Sequence, residues 1–268
     1  MYSKIKDHLK KSLEKIGVWE NIRGLKQPRL AVRNLAYRVT KSGSEPPIPP
    51  QHLMKLVVDP PEAAWYLRSG VFAFTGIQKT LRKNGINPSH FEKVLDFGCG
   101  TGRIVWRWKD EYDSFIHGTD YNENLVRFCK EKSDENEEFS KNELHPPLKY
   151  REEKFSFVYA NSVFTHLTKK LQKKWIEEIK RVLKKKGYFY MTVHGDGGKY
   201  MMNEKQKEEY DGGNIVVKRP DRVGTNVCAA FHPLSYVEGA FSEGFNVVDH
   251  IPNGTRHSVQ DIYLFRKC

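Results

Sequence analysis

No stretch of the 268-residue chain approaches the ~20 consecutive apolar residues that a helix needs to cross a bilayer. The first thirty residues carry neither an apolar signal-peptide core nor a small-residue cleavage site, so a cytoplasmic protein is expected. Cysteine is scarce. Cys99, Cys129, Cys228 and Cys268 stand far apart and form no CxxC pair, which argues against a zinc knuckle or a disulfide framework and fits a reducing compartment. No internal repeat is present. What is not lacking is core material: 38% of the residues are apolar and 12% aromatic, enough to bury a sizeable interior.

Acidic residues are also in deficit, 33 against 45 Lys and Arg, a net charge of +12. The excess is local. Residues 1–44 hold eleven Lys and Arg against Asp7, Glu14 and Glu20, so +8 of the total sits in the first sixth of the chain. There Ile5, Leu9, Leu13 and Ile16 recur at helical spacing with lysines between them, which predicts a basic amphipathic helix. A second apolar stretch follows around Leu30–Tyr37. Ser42–Pro50 (SGSEPPIPP) then reads as a stiff linker, dividing a basic arm (1–50) from a folded domain (51–268). Such an arm is either a solvated face, a peripheral anchor on an anionic inner-membrane surface, or a nucleic-acid contact. The body offers no recognition motif to accompany the last, so nucleic acid is disfavoured.

Glu62–Gly85 reads as helix with a break near Gly70. From residue 93 onwards strands and helices alternate. KVLDF (Lys93–Phe97), SFIHGTD (Ser114–Asp120), a short piece at Phe139–Lys141, FSFVYAN (Phe155–Asn161) and GYFYMTV (Gly187–Val193) are strands. Helices are expected at Arg103–Lys109, Asn122–Lys132 and Thr168–Leu183. Repeated units of this size imply a parallel sheet covered on both faces. The end departs from the repeat: a polar stretch at Gly195–Asn226, a helix near Ser235–Phe241, and two strands, FNVVDH and DIYLFR, joined closely enough to be antiparallel.

The chemistry points to Val94-Leu95-Asp96-Phe97-Gly98-Cys99-Gly100-Thr101-Gly102-Arg103. A strand ends in an acid, and a glycine turn opens the next helix. Glycines let a ligand approach backbone N–H groups closely. The pyrophosphate fingerprint wants its third glycine where Arg103 stands, and Asp96 suits a cationic ligand better than a phosphate. Asp120, at the end of the next strand, is placed to take a ribose diol. A tight loop alone, or a nicotinamide site, is the competing reading.

These residues resemble the class I S-adenosylmethionine-dependent methyltransferases, most closely in 93–193, and look most like a bacterial small-molecule or glycan-type group with VFTHL and AAFHP segments. The resemblance implies S-adenosylmethionine as cofactor and a Rossmann-like, seven-stranded sheet with helices on both faces, its last strand antiparallel, behind an N-terminal helical arm. It further implies that Asp96, Gly98, Cys99, Gly100, Thr101 and Gly102 wrap the amino-acid end of the cofactor. Asp120 would bind ribose, Tyr121 and Asn122 would flank adenine with Asn142, Glu143 and Leu144 at its edge, and Asn161, Ser162 and Val163 would face the methyl-transfer centre. Cys99 is expected to pack rather than react. Spermidine-synthase-like relatives share the turn, and a non-catalytic cofactor-binding module is a further alternative.

O-methylation of a sugar, glycan or other small molecule is the expected reaction, with N-methylation of a small molecule or protein the alternative. The residues after FSFVYA are not Asn/Asp-Pro-Pro-aromatic, which disfavours base N-methylation. Asn161 stands where metal-dependent relatives place an aspartate, so no metal is expected. A hydroxyl acceptor benefits from a base within about 3 Å; His194, then His232, then His166 are the candidates, and Asp196 is expected to cap the turn at Gly195–Gly198. The polar stretch 195–226 is long enough for a lid, or is a plain surface loop. If the arm binds lipid, deletion of residues 1–44 abolishes sedimentation with anionic vesicles and leaves cofactor affinity intact; equal sedimentation of the truncated protein would refute the anchor.

Overall fold

The computed structural model describes residues 11, 28–40, 46–241, 243–256 and 258–268. The expected basic helix at Ile5–Ile16 therefore lies, apart from Lys11, outside the described residues. The chain divides into two compact units, Met1–Arg68 and Ser69–Cys268.

In the first unit, α1 (Pro28–Thr40) and the single turn α2 (Gln51–Met54) precede α3 (Ala63–Lys83), which begins here and continues into the second unit. Asn34 is buried and works at both ends of its amide: Nδ2 donates to the Pro61 carbonyl at 3.0 Å, and Oδ1 accepts from the Ala63 N–H at 2.8 Å. The start of α3 is thereby satisfied by a side chain from α1. Arg33 pairs with Glu62 beside it. Met54, Val58, Tyr66 and Leu67 form a small apolar cluster on which Tyr37 and Ile48 pack. Ile48, in the expected linker, is thus part of this core.

The second unit is built on one sheet. Its elements are β1 (Lys93–Phe97), α4 (Val105–Lys109), β2 (Phe115–Asp120), α5 (Glu123–Lys130), β3 (Glu137–Lys141), β4 (Phe155–Ala160), α6 (Lys169–Val182), β5 (Leu183–Val193), α7 (Glu204–Asp211), β6 (Val216–Lys218), β7 (Ala229–Phe231), α8 (Leu234–Phe241), β8 (Phe245–Ile251) and β9 (Asp261–Lys267). The seven-stranded order is β3-β2-β1-β4-β5-β9-β8, with the first five strands parallel and β9 antiparallel to both β5 and β8. This is the expected Rossmann-like sheet. The order reverses between β1 and β4, so the carboxyl ends of those strands open the crevice where such folds bind ligands. β1 shows why it is central: Val94 through Phe97 are all buried, as a strand covered on both faces requires. The core on one face runs from Leu95 and Phe97 through Phe155, Trp175 and Phe189 to Phe265. Among the described residues no helix is long and apolar enough to cross a membrane.

Three expectations need correction. The helix before the sheet is not broken at Gly70; α3 runs 21 residues without interruption. Gly70 serves packing instead, since a β-carbon there would stand 2.6 Å from the Arg103 carbonyl oxygen. The helix after the glycine turn starts at Val105 rather than Arg103, because the turn continues through Gly102 at φ +77°. The stretch 195–226 is neither uniformly loop nor unpacked. It holds a 3-10 turn (Asp196–Met201), α7 and β6, which pairs with β7 in a two-stranded ribbon. Met202, Tyr210, Val216 and Phe231 bury one another beneath it. Asn203 and Gln206 form a reciprocal cap at the start of α7.

Gly70→Ala sets two terms against each other. The alanine gains about 1 kcal/mol of helix propensity, while the forced contact with Arg103 costs about 1–3 kcal/mol. A net loss is expected, visible as a fall in melting temperature of about 2–4 °C per kcal/mol lost. A rise would mean that the turn at Arg103 yields to the methyl group.

Candidate cofactor and methyl-transfer site

The turn after β1 is anchored to β2 by its own backbone. The Gly98 and Cys99 N–H groups both donate to the Thr119 carbonyl, at 2.8 and 2.9 Å. Gly98 has φ +79°, and a β-carbon there would stand 2.4 Å from Val163 Cγ2. Both conformation and proximity demand glycine. Thr101 accepts the Trp106 indole N–H at 3.0 Å on its carbonyl, which closes the turn onto α4.

Asp120 ties the turn to the end of β2. One carboxylate oxygen accepts the Gly100 N–H at 3.0 Å and the other the Asn122 N–H at 2.8 Å. Burial raises its pKa, and the backbone donors of Asn122, Gly100 and Tyr121 pull it back. A carboxylate has about four acceptor positions, so lone pairs remain for a diol. Asn122 also caps α5 by accepting the Asn124 N–H at 3.0 Å. Tyr121 is partly exposed beside it.

Asp96 is 2% exposed and paired in register with Tyr159. Burial pushes its pKa up to about 7, opposed by the Tyr159 hydroxyl and the Arg103 charge. A buried carboxyl at that value is poised to ionise when a cation arrives. Cys99 is buried, and its contact with Cys129, together with burial, pushes its thiol up, as suits a packing residue.

At the end of β3, where adenine is expected, the Asn142 N–H donates to the Asp120 carbonyl at 3.1 Å, and its Nδ2 donates to the Glu143 carbonyl at 2.7 Å. Its Oδ1 is buried without a partner. An orphaned acceptor at that place fits the exocyclic amine of adenine. The Leu144 carbonyl accepts the Trp175 indole N–H at 3.1 Å, while Glu143 is exposed and pairs with Lys141. Asn142 Oδ1, the Asp96 carboxyl and the Gly98 cradle together suit the two ends of S-adenosylmethionine.

Asn161, Ser162 and Val163 form the turn after β4. Ser162 is left-handed at φ +61°, a conformation costing of order 1–3 kcal/mol outside glycine. A network holds it there. The Ser162 N–H donates to Thr192 Oγ1 at 2.8 Å, Thr192 Oγ1 donates to Gln260 Oε1 at 2.8 Å, and Gln260 Nε2 donates to Ser162 Oγ at 2.9 Å. Neither Thr192 nor Gln260 has a neighbourhood in the sequence that signals this role.

The three histidines come together. His194 follows β5, stacks on Phe231 at 5.3 Å between centroids, and accepts the His232 N–H on its carbonyl at 2.7 Å. Burial first, then the His166 charge, lowers its pKa to about 4; a ring nitrogen meets the Val259 backbone, and Nδ1 is buried without a partner. His166 closes a 3-10 turn after β4, and its Nδ1 lies 2.8 Å from the Cys228 carbonyl. That acceptor fixes the proton on Nδ1 and leaves Nε2 as the basic nitrogen. Burial lowers its pKa also. His232 is 2% exposed, and its Nε2 accepts from Gln172 Nε2 at 2.9 Å. Asp196 does not cap the turn as expected: it is the first residue of the 3-10 turn, which has no side-chain cap, and it pairs with Lys199 at 3.1 Å.

If ionised Asp96 receives the ammonium of the cofactor, S-adenosylhomocysteine binds up to about tenfold more weakly for each pH unit below 7. Calorimetry at pH 5.5 and 8 reads this slope, and Asp96→Asn flattens it at a weaker affinity. The raised pKa makes the stabilising contribution of Asp96 complete below about 4 and lost as pH climbs through about 7. At pH 8 the unliganded Asp96→Asn protein therefore melts above the parent. A lower melting temperature together with unchanged affinity would refute the assignment.

Residues 94–187, about a third of the chain, match the family described as "Methyltransferase domain". No curated protein matches in sequence. Among solved structures, an S-adenosylmethionine-dependent methyltransferase from Mesorhizobium loti superposes with a TM-score of 0.56 at 11% identity, over 72% of this chain and 98% of that one. A protein from Pyrococcus horikoshii gives 0.54 at 16% identity, over 73% and 90%. An S-adenosylmethionine-dependent methyltransferase from Clostridium acetobutylicum gives 0.52 at 14%, over 72% and 90%. Identities this low carry the fold alone, and the family match is confined to residues 94–187. Residues 94–187, which span the glycine turn, Asp120 and the β4 turn, thus match a methyltransferase domain, and the sheet that carries them has the fold of S-adenosylmethionine-dependent methyltransferases.

Proposed function

We propose that the enzyme O-methylates a sugar, glycan or other small molecule, with His194 as general base. The observation that carries this reading is the unpartnered Nδ1 of His194, a buried ring nitrogen at the carboxyl end of β5 that serves as an acceptor when the proton is on Nε2. A buried acceptor left unpaired costs about 1–3 kcal/mol, and a hydroxyl proton is the donor that would satisfy it. With a pKa near 4 the ring is neutral at physiological pH. Its lone pair is then free to take the acceptor's proton as the new C–O bond forms. His166, its tautomer set by Cys228, stands beside it as the second basic group. His232, engaged by Gln172 and by the His194 backbone, is the positioning residue of the three.

The cofactor supplies an electrophilic methyl group on a sulfonium. Asp96 and the turn Gly98–Gly102 are proposed to hold its amino-acid end, Asp120 its ribose, and Tyr121, Asn122, Asn142, Glu143 and Leu144 its base. Asn161, Ser162 and Val163 would set the line of attack, and the Thr192–Gln260 network keeps Ser162 from relaxing. Holding reactants in such a line supplies much of the rate in a displacement. A glycan acceptor carried on lipid would also give the basic arm of residues 1–44 a purpose at an anionic inner-membrane surface.

Labelled S-adenosylmethionine offered with sugars, nucleotide sugars and lipid-linked glycans should give an O-methylated product. His194→Asn should lower kcat by about 10²–10⁴-fold and leave affinity for S-adenosylhomocysteine unchanged. The acid limb of kcat should fall near pH 4, since protonation below the pKa removes the base. Methyl found only on nitrogen, or full turnover by His194→Asn, would overturn the reading.

A further inference from the structure

The segment between β6 and β7 crosses the carboxyl rim of the sheet and meets both halves of the site. The Gly224 N–H donates to the His166 carbonyl at 2.8 Å, and His166 Nδ1–H donates to the Cys228 carbonyl, also at 2.8 Å. Between these anchors the segment closes on itself. Thr225 Oγ1 donates to the Arg222 carbonyl at 2.7 Å, and the Cys228 N–H donates to the Thr225 carbonyl at 3.0 Å. Val223 packs on the same core as Leu144 and Val163.

Gly224 itself faces the adenine side. A β-carbon there would stand 2.9 Å from Leu144 Cδ1 and 3.4 Å from the Tyr121 ring, and its φ of +80° already excludes most side chains. Two residues expected to line adenine, one after β2 and one after β3, thus converge on a single glycine from an insertion some 80 residues further along. The same glycine is bonded to the residue that carries the second basic ring.

We infer that Val223–Cys228 forms a third wall of the adenine subsite and couples its occupancy to the placement of His166. The inference rests on the assignment of Tyr121 and Leu144 to adenine. Cofactor exchange then requires this segment to lift, which breaks both bonds to His166. Occupancy of the subsite holds the segment down and sets the imidazole. The insertion is in this sense a part of the cofactor site, not only a cover for the acceptor.

Hydrogen exchange on the unmodified protein provides one test: saturating S-adenosylhomocysteine should slow exchange of the amides in 223–228 at least tenfold. Binding provides the other. Gly224→Ala should weaken S-adenosylhomocysteine and 5′-methylthioadenosine alike by about tenfold or more, because both carry adenine. Asp96→Asn should weaken only the former, which alone carries the amino-acid end. Unchanged exchange in 223–228 with parental binding by Gly224→Ala would overturn the third wall. If Tyr121→Ala and Leu144→Ala also bind 5′-methylthioadenosine like the parent, the adenine assignment falls with it; if they bind weakly, the failure belongs to the wall alone.

Discussion

The carboxylate of Asp120 is the constraint on which the rest of the site depends. Its two oxygens accept backbone donors from two different segments, Gly100 in the turn after β1 and Asn122 at the head of α5. Without it, the turn would keep its bonds to Thr119 but lose its fixed height above the sheet. Several neighbouring groups are placed against that turn or against Asp120 itself. Val163 fits against Gly98, the Asn142 N–H donates to the Asp120 carbonyl, and Arg103 reaches Ser69 at 3.1 Å on α3. One buried carboxyl group thus organises the first three strand ends, with part of its desolvation offset by backbone donors.

Much of this was legible because it is local. The strands around Asp96 and Asp120 are short apolar runs ended by an acid, and the glycine spacing follows directly in the chain. Even β3, with only Phe139 to signal it, lies where the sequence placed it. What could not be read depends on partners distant in sequence. Gly70 looks like a helix breaker until Arg103 is seen against it. The stretch 195–226 reads as polar surface because its buried members, Met202, Tyr210 and Val216, are spaced too widely to show a period. The histidines were visible as residue types, but their chemistry was not. Basicity is lowered first by burial, and the tautomer of His166 is set by the Cys228 carbonyl; neither has a sequence signature.

The site also concentrates features that a stability-optimised interior would avoid. A carboxyl is buried at Asp96, acceptors are left bare at Asn142 and His194, and a serine is held left-handed at 162. Each is unfavourable in the unliganded protein, and each is opposed by well-packed aromatic layers elsewhere. Phe189, Phe241 and Phe265 stack beneath the last strands, and Trp108 stacks with Phe157 and Tyr159 beneath the first. Local violations of this kind, surrounded by consistent packing, are characteristic of functional sites.

The bond from Gln260 to Ser162 spans 98 residues of chain. At the pace of protein synthesis that separation amounts to roughly 5–20 s. During that interval β1 to β5 have left the ribosome and are free to pair, while the turn after β4 lacks its distant brace and is free to leave the left-handed conformation. The turn after β4, proposed to face the methyl-transfer centre, is therefore among the last parts of the molecule to be assembled, and a nascent chain can hold a folded glycine turn before this second turn is braced.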